Sequence, residues 1–144
     1  MGMPRLVTFL MAILAWAPCS LAGAAAAEPP VGTWLLADRL AIDVSECNYL
    51  YCGRIVWVRP GTPGSCGETI VWGLTPDRPG RWNDGWFFDP ETGQTFTLSA
   101  SLQPDGSMSA RLLNLVQLYG KVEPLKRIEP RSLSGWCRPS AAAD

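Results

Sequence analysis

The feature that most constrains this chain is a strict two-residue alternation carried in short runs. Phe96, Leu98, Ala100 and Leu102 alternate with Thr95, Thr97, Ser99 and Ser101, a pattern that suits an extended strand with one buried and one hydrated face. Gln103-Pro104-Asp105-Gly106 then turns the chain, with proline presetting one turn residue and glycine accepting a positive φ. Met108, Ala110 and Leu112 resume the alternation against Ser109 and Arg111, so the two runs predict a hairpin. Upstream, Trp86-Phe87-Phe88 enters the turn Asp89-Pro90-Glu91-Thr92-Gly93.

Other runs extend the pattern. Thr33–Leu36 opens it, Leu40, Ile42 and Val44 alternate with Ala41 and Asp43, and Gly53–Val58 follows a short loop. Arg59 to Gly64 carries two prolines and breaks the sheet. Thr69 to Leu74 is apolar on both faces. Val116 to Val122 alternates, with Leu118 and Gly120 on the apolar side and Gln117, Tyr119 and Lys121 opposite, and Leu125–Ile128 reads as a last strand beyond Pro124. The sum is eight or nine short strands at barrel or sandwich spacing. Sequential hairpins close most simply into an antiparallel up-and-down β-barrel, which leaves no exposed edge. An all-β barrel of about eight strands is the expected fold.

The N-terminus reads as a secretory signal. Arg5 precedes the uncharged run Leu6–Trp16, and small residues lead to Ala24–Ala27, with cleavage expected before Glu28. Pro18, Cys19 and Ser20 interrupt the run too early for a bilayer span, which needs about 20 apolar residues. Cys19 follows Trp16-Ala17-Pro18, bulky and stiff neighbours for a lipid-modified cysteine. The single domain is therefore expected over residues 28–144, with a tail fraying from about residue 139. Its expected location is the periplasm or the medium, with no membrane span in the processed chain.

Processing leaves Cys47, Cys52, Cys66 and Cys137. An even count in a small exported domain reads as disulfides, of which three connectivities are possible. The preferred pairs are Cys47–Cys52, across a four-residue loop, and Cys66–Cys137, tying a mid-chain loop to the C-terminal segment. Zinc is the competing reading, but it usually takes close cysteine pairs on both sides and often histidine.

The chain contains no histidine, which removes the commonest general base and metal ligand. Its formal net charge is −1 and no basic face is visible, which argues against nucleic acid. Asp38, Asp43, Glu46, Glu68, Asp77, Asp84, Asp89 and Glu91 could supply a glycosidase-like pair, but Asp84 and Asp89 read as turn residues that bond their own backbone. Ser65-Cys66-Gly67 lacks a histidine to activate a thiolate. A non-enzymatic protein without catalytic residues, metal or cofactor is expected, with a carboxylate-based hydrolase as the lesser alternative. Aromatic residues crowd the central third. Some fill the barrel; if others line a cavity open at one end, Trp57, Trp72, Trp86 and Phe88 are the candidates to bind a small apolar or amphipathic ligand. The rival role is an envelope-interaction module, or a weak homodimer, with Trp82, Phe87 and Tyr119 as a surface patch.

Three segments together, Gly32-Thr33-Trp34, the hairpin Cys47…Cys52-Gly53-Arg54-Ile55-Val56-Trp57, and Trp86…Asp89-Pro90-Glu91-Thr92-Gly93, resemble the bacterial exported family known as domain of unknown function 2147. The likeness runs from about Val31 to Ile128. It implies a lipocalin-like barrel in the periplasm or outside the cell, with no established activity. The sequence departs from the family's pattern after Trp57, where the segment is shortened and holds Cys66, and at Leu125-Lys126-Arg127-Ile128, which lacks an aromatic before the arginine. Gly32-x-Trp34 is similar to the first-strand signature of lipocalins. That likeness implies a structural role for Gly32, Trp34 and Arg127, with the indole packed across a closed barrel end beneath the arginine.

Overall fold

The computed structural model describes residue 2, residues 28–129 and residues 132–137. The expected signal segment (Gly2 apart) and the tail from about residue 139 lie outside the described residues. Eight strands follow in order: β1 (Gly32–Leu36), β2 (Leu40–Cys47), β3 (Leu50–Val58), β4 (Thr69–Arg78), β5 (Arg81–Asp89), β6 (Gln94–Leu102), β7 (Met108–Asn114) and β8 (Tyr119–Arg127). Each pairs antiparallel with the next, and β8 returns to β1 through Trp34↔Arg127, Leu35↔Lys126 and Leu36↔Leu125, so the barrel is closed.

The alternation works as the sequence implies along β6 and β7. Leu98, Ala100, Ala110 and Leu112 point inward and are buried, and their registers are Leu98↔Leu112 and Ala100↔Ala110. Trp34, Leu40, Ile42, Ile55, Ile70 and Phe96 join them in one core. The turn between these strands is held by Asp105, whose carboxylate accepts from the Ser107 hydroxyl and amide. The Ser107 hydroxyl bond in particular holds that carboxyl below its ordinary range.

The C-terminal strand differs from the expected pair. The runs expected as separate strands over Val116–Val122 and Leu125–Ile128 form one strand, β8, which passes through Pro124, while residues 115–118 make the turn. A proline is tolerated there because β1 pairs β8 only from Leu125 onward, leaving Pro124 beside no donor-seeking neighbour on that side. Pro76 in β4 sits in the same situation, beyond the last β3 partner at Leu74. The inward side of β8 is also opposite to expectation. Arg127 and Leu125 lie against Trp34 and Met108, which fixes the odd-numbered residues inside. Lys121 and Glu123 therefore face in and Val122 faces out, because side-chain direction alternates without exception along an unbulged strand. Asp84 is likewise not in a turn but at an irregularity of β5, with φ 59°, a conformation aspartate tolerates better than most residues.

The segment after β8 turns back over the outside of the barrel. The Ile128 amide donates to the Thr33 carbonyl (3.0 Å), the Trp57 indole to the Ser134 carbonyl (2.8 Å) and the Cys137 amide to the Val56 carbonyl (2.8 Å). The disulfide Cys66–Cys137 pins this strap to the loop between β3 and β4, and Cys47–Cys52 closes the β2–β3 hairpin.

Candidate functional site

A closed β-barrel offers three places for a ligand: its interior, its two ends and its outer wall. The interior is almost full. Trp34, Ile42, Leu74, Leu98, Met108 and Leu125 are among the apolar side chains around a cavity of ≈ 40 Å³. A drug-sized ligand needs roughly 300 Å³ or more.

One end is closed by Trp34. Its indole N–H donates to the Pro30 carbonyl at 2.8 Å, and the Arg127 guanidinium lies 4.3 Å from the indole centroid. Arg127 also donates to the Val31 carbonyl at 2.8 Å. Gly32 is required for this approach: its φ is +126°, and a Cβ there would stand 2.7 Å from an Arg127 nitrogen. Gly32, Trp34 and Arg127 thus form a single closure.

The other end is closed differently. The β3–β4 loop folds inward until a Cβ on Gly64 would touch Leu40, Ile55 and Pro90. Beside it lies a cluster of charges. Arg39, from the β1–β2 turn, reaches Asp89 (3.3 Å) and Glu91 (3.0 Å), while Lys121 reaches Asp89 (3.6 Å) and Glu123 (3.3 Å). Asp89 is buried and also accepts the Glu91 amide at 3.0 Å. The Lys121 ammonium stands 5.2 Å from the Phe96 ring centroid, and Tyr119 meets the same ring edge-on at 5.8 Å. Every charge in the cluster has an opposite partner, so the arrangement ties the β1–β2 turn, the β5–β6 turn and β8 across the mouth. Asp89 does act as a turn residue, as its sequence context implies. Its ion pairs escape a sequence reading because they depend on the inward side of β8.

Of the four aromatic residues expected along a cavity, Trp57, Trp72 and Trp86 stand on the outer face. Val71 and Phe87 point inward, so their neighbours Trp72 and Trp86, which pair with each other across β4 and β5, point out and are 37% and 41% exposed. Phe88, opposite Thr95, is half-buried against the core's edge. Trp57 pairs with Ala41 on the outer side, where the C-terminal strap covers it and leaves it 9% exposed. A bulge between Ala41 and Ile42 shifts the β3 register there, and a one-residue shift exchanges faces. Trp82 and Phe87, expected on a surface patch, are instead core residues; Tyr119 is exposed in part.

The outer wall of β5–β8 carries what the sequence reading did not anticipate. Around the β7–β8 turn, Val116 is 92% exposed, Leu118 83%, Val122 60% and Leu115 57%. Leu118 adopts a φ of 52°, unusual for a branched residue. Asn114 holds the turn by accepting the Val116 and Gln117 amides. Next to this patch, Arg78, Arg81 and Arg111 surround a floor of Ser99, Ser101 and Ser109 in a groove of ≈ 430 Å³. No run of basic residues announces this group, since its members come from three different strands.

Residues 32–127 match the family model described as "Uncharacterized protein conserved in bacteria (DUF2147)". Among solved structures, the chain is similar to protein HP1028 from the human pathogen Helicobacter pylori, described as belonging to the lipocalin family. The TM-score is 0.59 at 13% sequence identity, over 69% of this chain and 82% of that one. At that identity the likeness is one of fold. No curated protein sequence matches the chain.

Proposed function

The chain belongs to the bacterial family DUF2147, and from that premise we propose that it is an exported, non-enzymatic protein that binds amphipathic molecules on the outer wall of its barrel. The observation that carries this reading is the contrast between a cavity of ≈ 40 Å³ inside and a bare apolar hairpin outside. A contiguous exposed apolar patch on a small protein marks an interaction surface. Export is supported by the two disulfides, which persist in oxidising compartments, and by the signal-like N-terminus. A binding rather than catalytic role is supported by the absence of histidine from the sequence and by the mutual pairing of the charges at the Asp89 end.

The test is titration of the isotope-labelled protein with monomeric dodecyl maltoside, following backbone amide shifts. The expected result is that the largest shifts fall between Leu113 and Val122. Shifts concentrated on inward-facing Ile42, Leu98 and Met108 would transfer the function to the interior. No shift at all would end the proposal.

A further inference from the structure

We infer that the outer wall of β5–β8 takes a phosphorylated amphiphile, its phosphate between Arg81 and Arg111 and its acyl chain along Leu113, Gly120 and Val122. This rests on the outer-wall reading above and specifies its ligand.

Three observations converge. First, the registers place the basic groups around a hollow. Arg81 is opposite Ser101, Ser101 opposite Ser109, and Ser99 opposite Arg111, so the two arginines flank small hydroxyl side chains from either side. With strands about 4.8 Å apart, Arg81 and Arg111 stand on alternate strands and line the same hollow as these serines. Serine hydroxyls can donate to a phosphate oxygen, and guanidinium forks suit phosphate geometry.

Second, the charge there is unbalanced. Arg78 and Arg81 are direct cross-strand partners, a like-charge pairing that disfavours the sheet. Asp77 lies within 3.4 Å of Arg78, but among the described residues no carboxylate pairs with Arg81 or Arg111. An oxyanion with two negative charges would offset this excess.

Third, the basic groove continues into an apolar one. A second hollow of ≈ 380 Å³ shares Arg111 and Val122 with the first and runs past Leu113 and Gly120 towards the exposed turn. Gly120 keeps its floor low: a Cβ there would come within 3.5 Å of Leu113 Cδ1. A cationic hollow leading into an apolar one matches a single molecule with an anionic head and a hydrocarbon tail.

The experiment compares four probes at monomeric concentrations by calorimetry and amide shifts: inorganic phosphate, dodecyl maltoside, decyl phosphate and dodecyl phosphate. Dodecyl phosphate is expected to bind at least about tenfold more tightly than dodecyl maltoside, since charge-assisted hydrogen bonds are among the stronger contacts. Decyl phosphate should bind about two- to tenfold more weakly than dodecyl phosphate, because each buried methylene contributes. The double variant Arg81→Gln/Arg111→Gln should abolish the preference for phosphate, so that dodecyl phosphate binds no more tightly than dodecyl maltoside to the same variant, and Val122→Ser should weaken both dodecyl probes. Equal affinity for the two dodecyl probes, or a phosphate preference that survives the double arginine variant, overturns the inference and leaves the outer-wall reading intact. Shifts of core residues on binding dodecyl phosphate overturn both. Far-ultraviolet circular dichroism checks that each variant remains folded.

Discussion

The barrel has two flanks that treat their outer faces in opposite ways. On β1–β3, outward-facing Trp57 is buried beneath the C-terminal strap, which a disulfide fixes in place, and its outward-facing neighbour Ala41 is buried too. On β7–β8, no described segment covers outward-facing Leu113 and Val122 or the turn residues beyond them. Among the described residues, a device for hiding apolar side chains on the outside of the barrel is thus used on one flank and not on the other. On the first flank, outward apolar residues are a second, smaller core. On the other they face water, and it is these residues that the proposed amphiphile would cover.

That contrast can be broken most strongly at the staple. Cys66→Ser/Cys137→Ser opens a loop spanning 71 residues of sequence and is expected to cost about 4 kcal/mol of stability, against about 2 kcal/mol for opening Cys47–Cys52. Urea denaturation followed by fluorescence checks both. Where the flanks meet, Asp89→Ala should cost about 3 kcal/mol, near the lower limit for breaking a buried ion pair, because Arg39 and Lys121 retain Glu91 and Glu123. The same denaturation experiment measures it. Within the covered flank, Trp57→Phe removes the indole bond to Ser134 and should cost about 1–2 kcal/mol, with faster amide exchange at Cys137. On the bare flank the sign should reverse. Leu118→Asn relieves a positive φ and should gain a few tenths to about 1 kcal/mol, readable as a raised melting temperature. A loss of stability there would mean that Leu118 is packed rather than displayed.

Much of the barrel is legible in the sequence. The Thr95–Leu102 and Met108–Leu112 alternation, the glycine and proline turns and the short Cys47–Cys52 loop each follow from local chemistry, whereas the sequence allows three cysteine connectivities and the fold brings Cys66 to Cys137. The inward side of β8 was not legible. Along Tyr119–Pro124, the apolar Val122 and the charged Lys121 and Glu123 are swapped relative to a core-seeking pattern, and only the register to Trp34 and Met108 decides which set faces in. The outward placement of Trp57, Trp72 and Trp86 was hidden for a related reason. A bulge exchanges faces on β3, and β4 and β5 carry apolar residues on both.

What the sequence by itself determined was extended structure, turn positions and a fold class, because backbone preference and alternation act over a few residues. What tertiary structure alone decided was which face is inside, how full the interior is, and which distant side chains meet. Arg81 and Arg111, like Asp89 and Lys121, are neighbours through strand register. Register is a property of paired strands and cannot be read from either strand on its own.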